Sequence, residues 1–282
     1  MSESADPIDE AAAAAESTRQ ILVFGGTFDP PHLAHTRLAQ LAAQQLECDE
    51  ILFVPAAINP LKSERPDAGR DHRIAMLLLA TADLPGARIS AIELDRPGKS
   101  YMIDTLRELT SELPQSSVSP GIHRGMRADC ADQPRESGSE KPHGRAMAPR
   151  EAASGQCAAI VNRQSSTVNP KLFLLIGADQ AIEFHSWKDW QQILTLARPA
   201  VMLRPPWDEK SFEKKLSEVY SPLEAEHWLS WTLIRGLPMM DVNATEIRRR
   251  LKNHEDTEGL LHPAVAEYIR ANRLYETADE RG

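Results

Sequence analysis

Apolar residues fall along this chain in short unbroken runs, separated by stretches in which they recur at helical intervals. Ile21-Leu22-Val23-Phe24, the centre of Glu50–Pro55, Lys171–Ile176 and Arg198–Arg204 are such runs. Runs of this length, rich in β-branched and aromatic residues, predict strands buried on both faces, as in a parallel sheet. Arg88–Leu94, with Ile89, Ala91 and Ile92, predicts another. Leu33, Leu38, Leu41, Ala42 and Leu46 keep helical spacing from about His32. Ile74, Leu77 and Leu78 mark one side of a helix over Asp71–Ala82, with Asp71 as a candidate cap. Further helices are predicted from Lys99 to about Leu113, over 208–230, and in Leu260–Tyr275, where His262 is a helix-start residue. Strands alternating with helices predict an α/β fold. It is a Rossmann-like, doubly wound, mostly parallel sheet with helices on both faces.

The pattern stops in three places. Residues 1–19 are acidic and alanine-rich with no apolar face, and 276–282 are similarly unpatterned, so both read as tails. Residues 116–168 are rich in Ser, Gly, Pro and Arg, contain no aromatic residue and carry charges without period. Such a stretch cannot bury enough apolar surface to offset ordering entropy of ~1–2 kcal/mol per residue. It predicts a disordered, low-complexity insertion in one domain spanning 20–275.

Composition narrows the function classes. The 282 residues are 41% hydrophobic, enough for a core of ordinary size. A net charge of −9 argues against a nucleic-acid binder, although a local cluster of Lys, Arg and His can still hold a nucleotide. Cys48, Cys130 and Cys157 form no C-x-x-C pair and suit a reducing cytoplasm. The gaps among His123, Cys130, His143 and Cys157 match no familiar zinc site, so no metal site is expected. No apolar run approaches ~18 residues, and the N-terminus lacks the basic start of a signal peptide. No membrane partner is expected.

Candidate chemistry gathers at three strand or helix ends. After the first strand come Gly25, Gly26, Thr27, Phe28, Asp29, two prolines, and then His32 and His35 at a helix start. A helix start offers unpaired N–H groups to a phosphate, and two histidines three apart can donate to the same anion. After Lys171–Ile176 come Gly177-Ala178-Asp179, a strand, glycine and carboxylate order suited to a ribose diol. In Asn243-Ala244-Thr245-Glu246-Ile247-Arg248, Asn243 or Thr245 caps a helix. The Arg248 fork then suits triphosphate oxygens.

Gly25-Gly26-Thr27-Phe28-Asp29-Pro30-x-His32-x-x-His35 resembles the signature of the nucleotidyltransferase superfamily, and more closely that of bacterial nicotinate-mononucleotide adenylyltransferases. Ser100-Tyr101-Met102…Thr105-Leu106, Gly177-Ala178-Asp179…Phe184-x-x-Trp187 and Thr245-x-Ile247-Arg248 resemble that family's later elements. The resemblance implies transfer of AMP from ATP to nicotinate mononucleotide, giving nicotinate adenine dinucleotide and pyrophosphate in NAD biosynthesis. It places His32, His35 and Arg248 at the reacting phosphates, and Gly25, Gly26, Thr27, Phe28, Gly177, Asp179 and Thr245 around ATP. Lys62, Tyr101, Met102, Trp187 and Lys188 fall around the mononucleotide, with Mg²⁺ carried by ATP. Ala34 stands where the signature has glycine, Met102 where it has threonine, and Asn243 and Ala244 where it has serines. Two rival readings stay open: transfer to another acceptor, nicotinamide mononucleotide or phosphopantetheine, and an inactive nucleotide-binding sensor.

Overall fold

A computed structural model of the chain describes residues 18–58, 66–112, 170–203, 206–220, 231–236 and 242–276. The expected insertion at 116–168 lies outside them, as do Lys62, Arg204 and the second half of the helix expected over 208–230. Six strands form one sheet: β1 (Gln20–Gly26), β2 (Glu50–Pro55), β3 (Ala87–Ile89), β4 (Lys171–Gly177), β5 (Arg198–Met202) and β6 (Thr232–Ile234). Their order is β3-β2-β1-β4-β5-β6, and every neighbouring pair is parallel. The strand order runs outward from β1 in one half and from β4 in the other, so the sheet is doubly wound.

Strand residues alternate between the two faces, and each face buries its own helices. Ile21, Val23, Leu172, Leu174, Ile176 and Val201 pack under α4 (Met102–Glu112), α5 (Ala178–Ile182), α6 (Trp190–Leu196) and α7 (Glu209–Val219). Leu22, Phe24, Phe53, Phe173 and Leu175 pack under α1 (Leu33–Gln45) and Leu77 of α2 (Arg70–Ala80). A smaller cluster joins Met76 and Ala80 of α2 to Ile247 of α8 (Ala244–Lys252) and to Val265 and Ile269 of α9 (Pro263–Ala271). That cluster brings the last two helices beside the start of the chain.

Several local expectations are corrected. On α1 the expected Ala42, and Leu46 just past the helix end, are buried and Leu38 packs partly against the core, but Ala34, Ala39 and Ala43 complete the buried side while Leu33 and Leu41 are only half-buried. On α2 Met76, Leu77 and Ala80 face inward while Leu78 is 58% exposed. That helix is preceded by Gly69, so Asp71 is an acidic residue in its first turn instead of its cap. The strand expected over Arg88–Leu94 ends at Ile89, and Ile92–Asp95 forms a helical turn, α3. Arg19, placed in the tail by sequence, accepts the Lys171 N–H at 2.8 Å and pairs with buried Glu50.

Candidate active site

β1 and β2 pair from Ile21 opposite Glu50 to Gly26 opposite Pro55. β1 and β4 pair only from Gln20 opposite Lys171 to Val23 opposite Leu174. The two central strands therefore separate at their C-terminal ends, where the winding reverses and an open parallel sheet places its ligand crevice. A cavity of about 130 Å³ lies there, walled by the ends of β1 and β4 and by Tyr101, Met102, Trp187 and Lys188. Both glycines of β1 are closely covered. A Cβ on Gly25 would meet the Met102 terminal methyl at 2.6 Å, and one on Gly26 the Phe28 ring at 2.9 Å.

The resemblance places Phe28 with the nucleotide, but its side chain is a core residue, 1% exposed. A φ of 49°, unusual for so bulky a residue, sends the ring inward. It packs edge-on to Phe24, Phe53 and His35, with centroids 5.5, 5.8 and 5.0 Å away.

His32 caps α1 with extended backbone, and its N–H donates to His35 Nδ1 at 3.2 Å. The two rings stack at 3.6 Å. Because Nδ1 accepts, the neutral His35 ring carries its proton on Nε2, a donor suited to an anion. The first helical N–H, of Leu33, is bonded to the Leu260 carbonyl at 2.9 Å. It is therefore not among the unpaired donors expected at this helix start.

The second junction meets the first. Asn243 caps α8 by accepting the Glu246 N–H at 2.8 Å, and Thr245 is exposed in the first turn. Arg248 donates from Nη1 to the Asp29 carbonyl at 2.8 Å and from Nε to the Asp67 carboxylate at 2.8 Å. The guanidinium thus rests on the loop that delivers the two histidines. The Asp29 carboxylate is 2% exposed and accepts from the Asp67 and Ala68 N–H groups and the Tyr275 hydroxyl, at 2.6, 3.1 and 2.6 Å. Burial and Asp29 push the Tyr275 phenol well above the ordinary range, so it stays a donor.

Trp187 lies against Phe184, centroids 5.0 Å apart, and its Nε1 is buried without a partner among the described residues. Lys188 Nζ sits 4.9 Å from the Tyr101 ring centroid and 3.0 Å from Asp104. Gly177 caps α5, with its N–H bonded to Gln180 Oε1 at 3.1 Å. Asp179 is exposed at the adjoining helix start, accepts the Trp207 indole N–H at 2.8 Å and does not wall the cavity.

Sequence reasoning missed three charged residues here. Arg73, 3% exposed, ties the ends of β1 and β2 by donating to the Thr27 and Ala56 carbonyls at 2.9 and 2.6 Å. Burial lowers its pKa from the usual arginine value, with Asp29 opposing the shift. Asp67 holds Arg248, and Glu93 lines the cavity at 3% exposure. The one signal for Arg73 was its helical spacing from Met76 and Leu77.

Comparison with known proteins gives the family and the fold. A family model described as cytidylyltransferase-like matches residues 23–250. A Chromobacterium violaceum protein named "Probable nicotinate-nucleotide adenylyltransferase" is 31% identical over 258 residues, covering 90% of this chain and 97% of its own. A Bordetella parapertussis protein of the same name is 30% identical over 260 residues, covering 91% and 98%. In fold, the chain is similar to Plasmodium falciparum nicotinic acid mononucleotide adenylyltransferase complexed with NaAD. The TM-score is 0.57 at 15% identity, over 92% of this chain and 98% of that one. The chain belongs to the cytidylyltransferase-like family, in the branch of these nicotinate-nucleotide adenylyltransferase relatives.

Proposed function

We propose that this chain transfers AMP from ATP to nicotinate mononucleotide, releasing pyrophosphate and forming nicotinate adenine dinucleotide. The observation that supports the reading is the Arg248 guanidinium donating to the Asp29 carbonyl, so that the helix start carrying Arg248 lies beside the loop that leads to His32 and His35. The names of the relatives support the choice of acceptor.

In the reaction an oxygen of the acceptor phosphate bonds to the α-phosphorus as the bond to the β-phosphate oxygen breaks. Attacker and leaving group are already ionised, so no strong base is required. Placement and charge stabilisation do the work, and alignment of two bound reactants is worth ~7–11 kcal/mol in favourable cases. His32 and His35 hold the α-phosphate side, and Arg248 and Thr245 the outer phosphates. Lys62 meets the acceptor phosphate and Asp179 a ribose. Trp187 stacks on the acceptor ring beside Tyr101, Met102 and Lys188. Among the described residues no group of three His, Cys, Asp or Glu side chains could hold a metal ion. The imidazole and guanidinium donors fit phosphate oxygens, and Mg²⁺ bound to ATP would supply charge neutralisation there.

Pyrophosphate release, measured with ATP and each acceptor in turn, tests the reading. Release is expected with nicotinate mononucleotide and at least about tenfold less with nicotinamide mononucleotide or phosphopantetheine. Faster release with either of the others reassigns the acceptor, and release with none makes the chain a sensor.

A further inference from the structure

Glu93 is the buried acid of the crevice. It lies on α3, 3% exposed, and its side chain lines the cavity. Thr105 Oγ1 donates to Glu93 Oε1 at 2.6 Å, and the Ser100 hydroxyl lies near the same carboxyl. Ser100 Oγ accepts the Ala57 N–H at 2.9 Å, which ties the segment before α4 to the loop after β2, while the carboxyl itself joins α3 to the first turn of α4. A clamp alone does not require an acid, because a glutamine oxygen accepts the same hydroxyl bonds without the cost of burying a charge.

The cavity wall supplies a reason for the charge. Among the described residues it carries one cation, Lys188, and one carboxylate, Glu93, beside the aromatic faces of Tyr101 and Trp187. A pyridine bonded through nitrogen to ribose is a cation at the ring, and nicotinate adds a carboxylate at the ring's edge. A wall with one group of each sign complements that dipolar ring. Aromatic faces attract its positive centre, and a buried carboxylate interacts with it far more strongly than an exposed one.

We infer that Glu93 is the counter-charge for the cationic pyridine ring of the acceptor, and so selects charged rings over neutral ones. This rests on the proposed acceptor class and adds a determinant to it. Burial pushes the Glu93 carboxyl up, while the Thr105 and Ser100 hydroxyls and nearby Arg96 hold it down. Burial prevails and leaves the carboxyl above its ordinary range, and a cation arriving in the cavity shifts it back toward the ionised form.

Calorimetric titration tests the inference with nicotinate mononucleotide and its reduced, dihydropyridine form, whose ring is neutral. In Glu93→Gln the charged-ring ligand should bind about tenfold more weakly, and the neutral-ring ligand should change by less than about twofold. Glu93→Asp, which keeps the charge, should retain most of the preference. Equal weakening of both ligands in Glu93→Gln overturns the inference and leaves Glu93 a clamp. Should thermal unfolding show that Glu93→Gln does not fold, the unaltered protein decides. It must bind the charged ring at least about tenfold more tightly than the neutral one, and parity overturns the inference. Failure of the unaltered protein to bind either ligand sinks the acceptor assignment itself, and the inference with it.

Discussion

His35→Ala is expected to lower kcat about 10²–10³-fold while the protein stays folded, the range seen when one preorganised donor to a developing charge is removed. His35 Nδ1 is committed to the His32 N–H at 3.2 Å, and the ring is buttressed by Phe28 and stacked on His32. Its Nε2 is therefore held in one direction before substrate arrives, and that preorganisation is what the substitution destroys. The structural loss is small by comparison. One backbone N–H at a helix start loses its acceptor, at about 1 kcal/mol. Steady-state rates paired with thermal unfolding separate the two effects. A kcat within about threefold of the unaltered enzyme would remove His35 from the mechanism.

Arg248→Ala should lower kcat/KM for ATP about 10³-fold, through both a higher KM and a lower kcat. The guanidinium is anchored by two of its edges, to the Asp29 carbonyl and the Asp67 carboxylate. The same planar group still has donors for phosphate oxygens. Arg248→Lys should recover little, because an ammonium on a flexible stem cannot span both anchors and face a phosphate. Stability should fall far less than activity. The Asp67 side chain is 46% exposed, and ion pairs that open to solvent contribute ~0–1 kcal/mol. Initial rates over a range of ATP concentrations check this. A lysine variant with near-normal kcat/KM would reduce Arg248 to a point charge.

The sheet was legible because its strands are buried on both sides and therefore apolar without interruption. Glu50–Pro55 was bounded correctly from the sequence for that reason. β6 was missed because three residues, only Ile234 of them buried, carry no period. On α1 Ala42 and Leu46 were read correctly, whereas Ala34, Ala39 and Ala43 were not, because small side chains that let a helix lie close to the sheet stand out little in an apolar pattern. The histidines, the glycine turn and Arg248 were legible as local patterns at strand and helix ends. Glu93, Arg73 and Asp67 were not, because each acquires its meaning from partners across space. Arg73 bonds carbonyls from two strands, and Asp67 meets an arginine from the far end of the chain. The burial of the Phe28 ring was not legible for the complementary reason: its motif position says nothing of the left-handed backbone that turns the ring inward.

In the proposed reaction two distant helix starts grip one triphosphate. A crystal structure with a non-hydrolysable ATP analogue tests that directly. It should show the His35 imidazole and the Arg248 guanidinium both within hydrogen-bond reach of oxygens of the same triphosphate. A triphosphate that touches one of these groups and leaves the other against protein alone would contradict it.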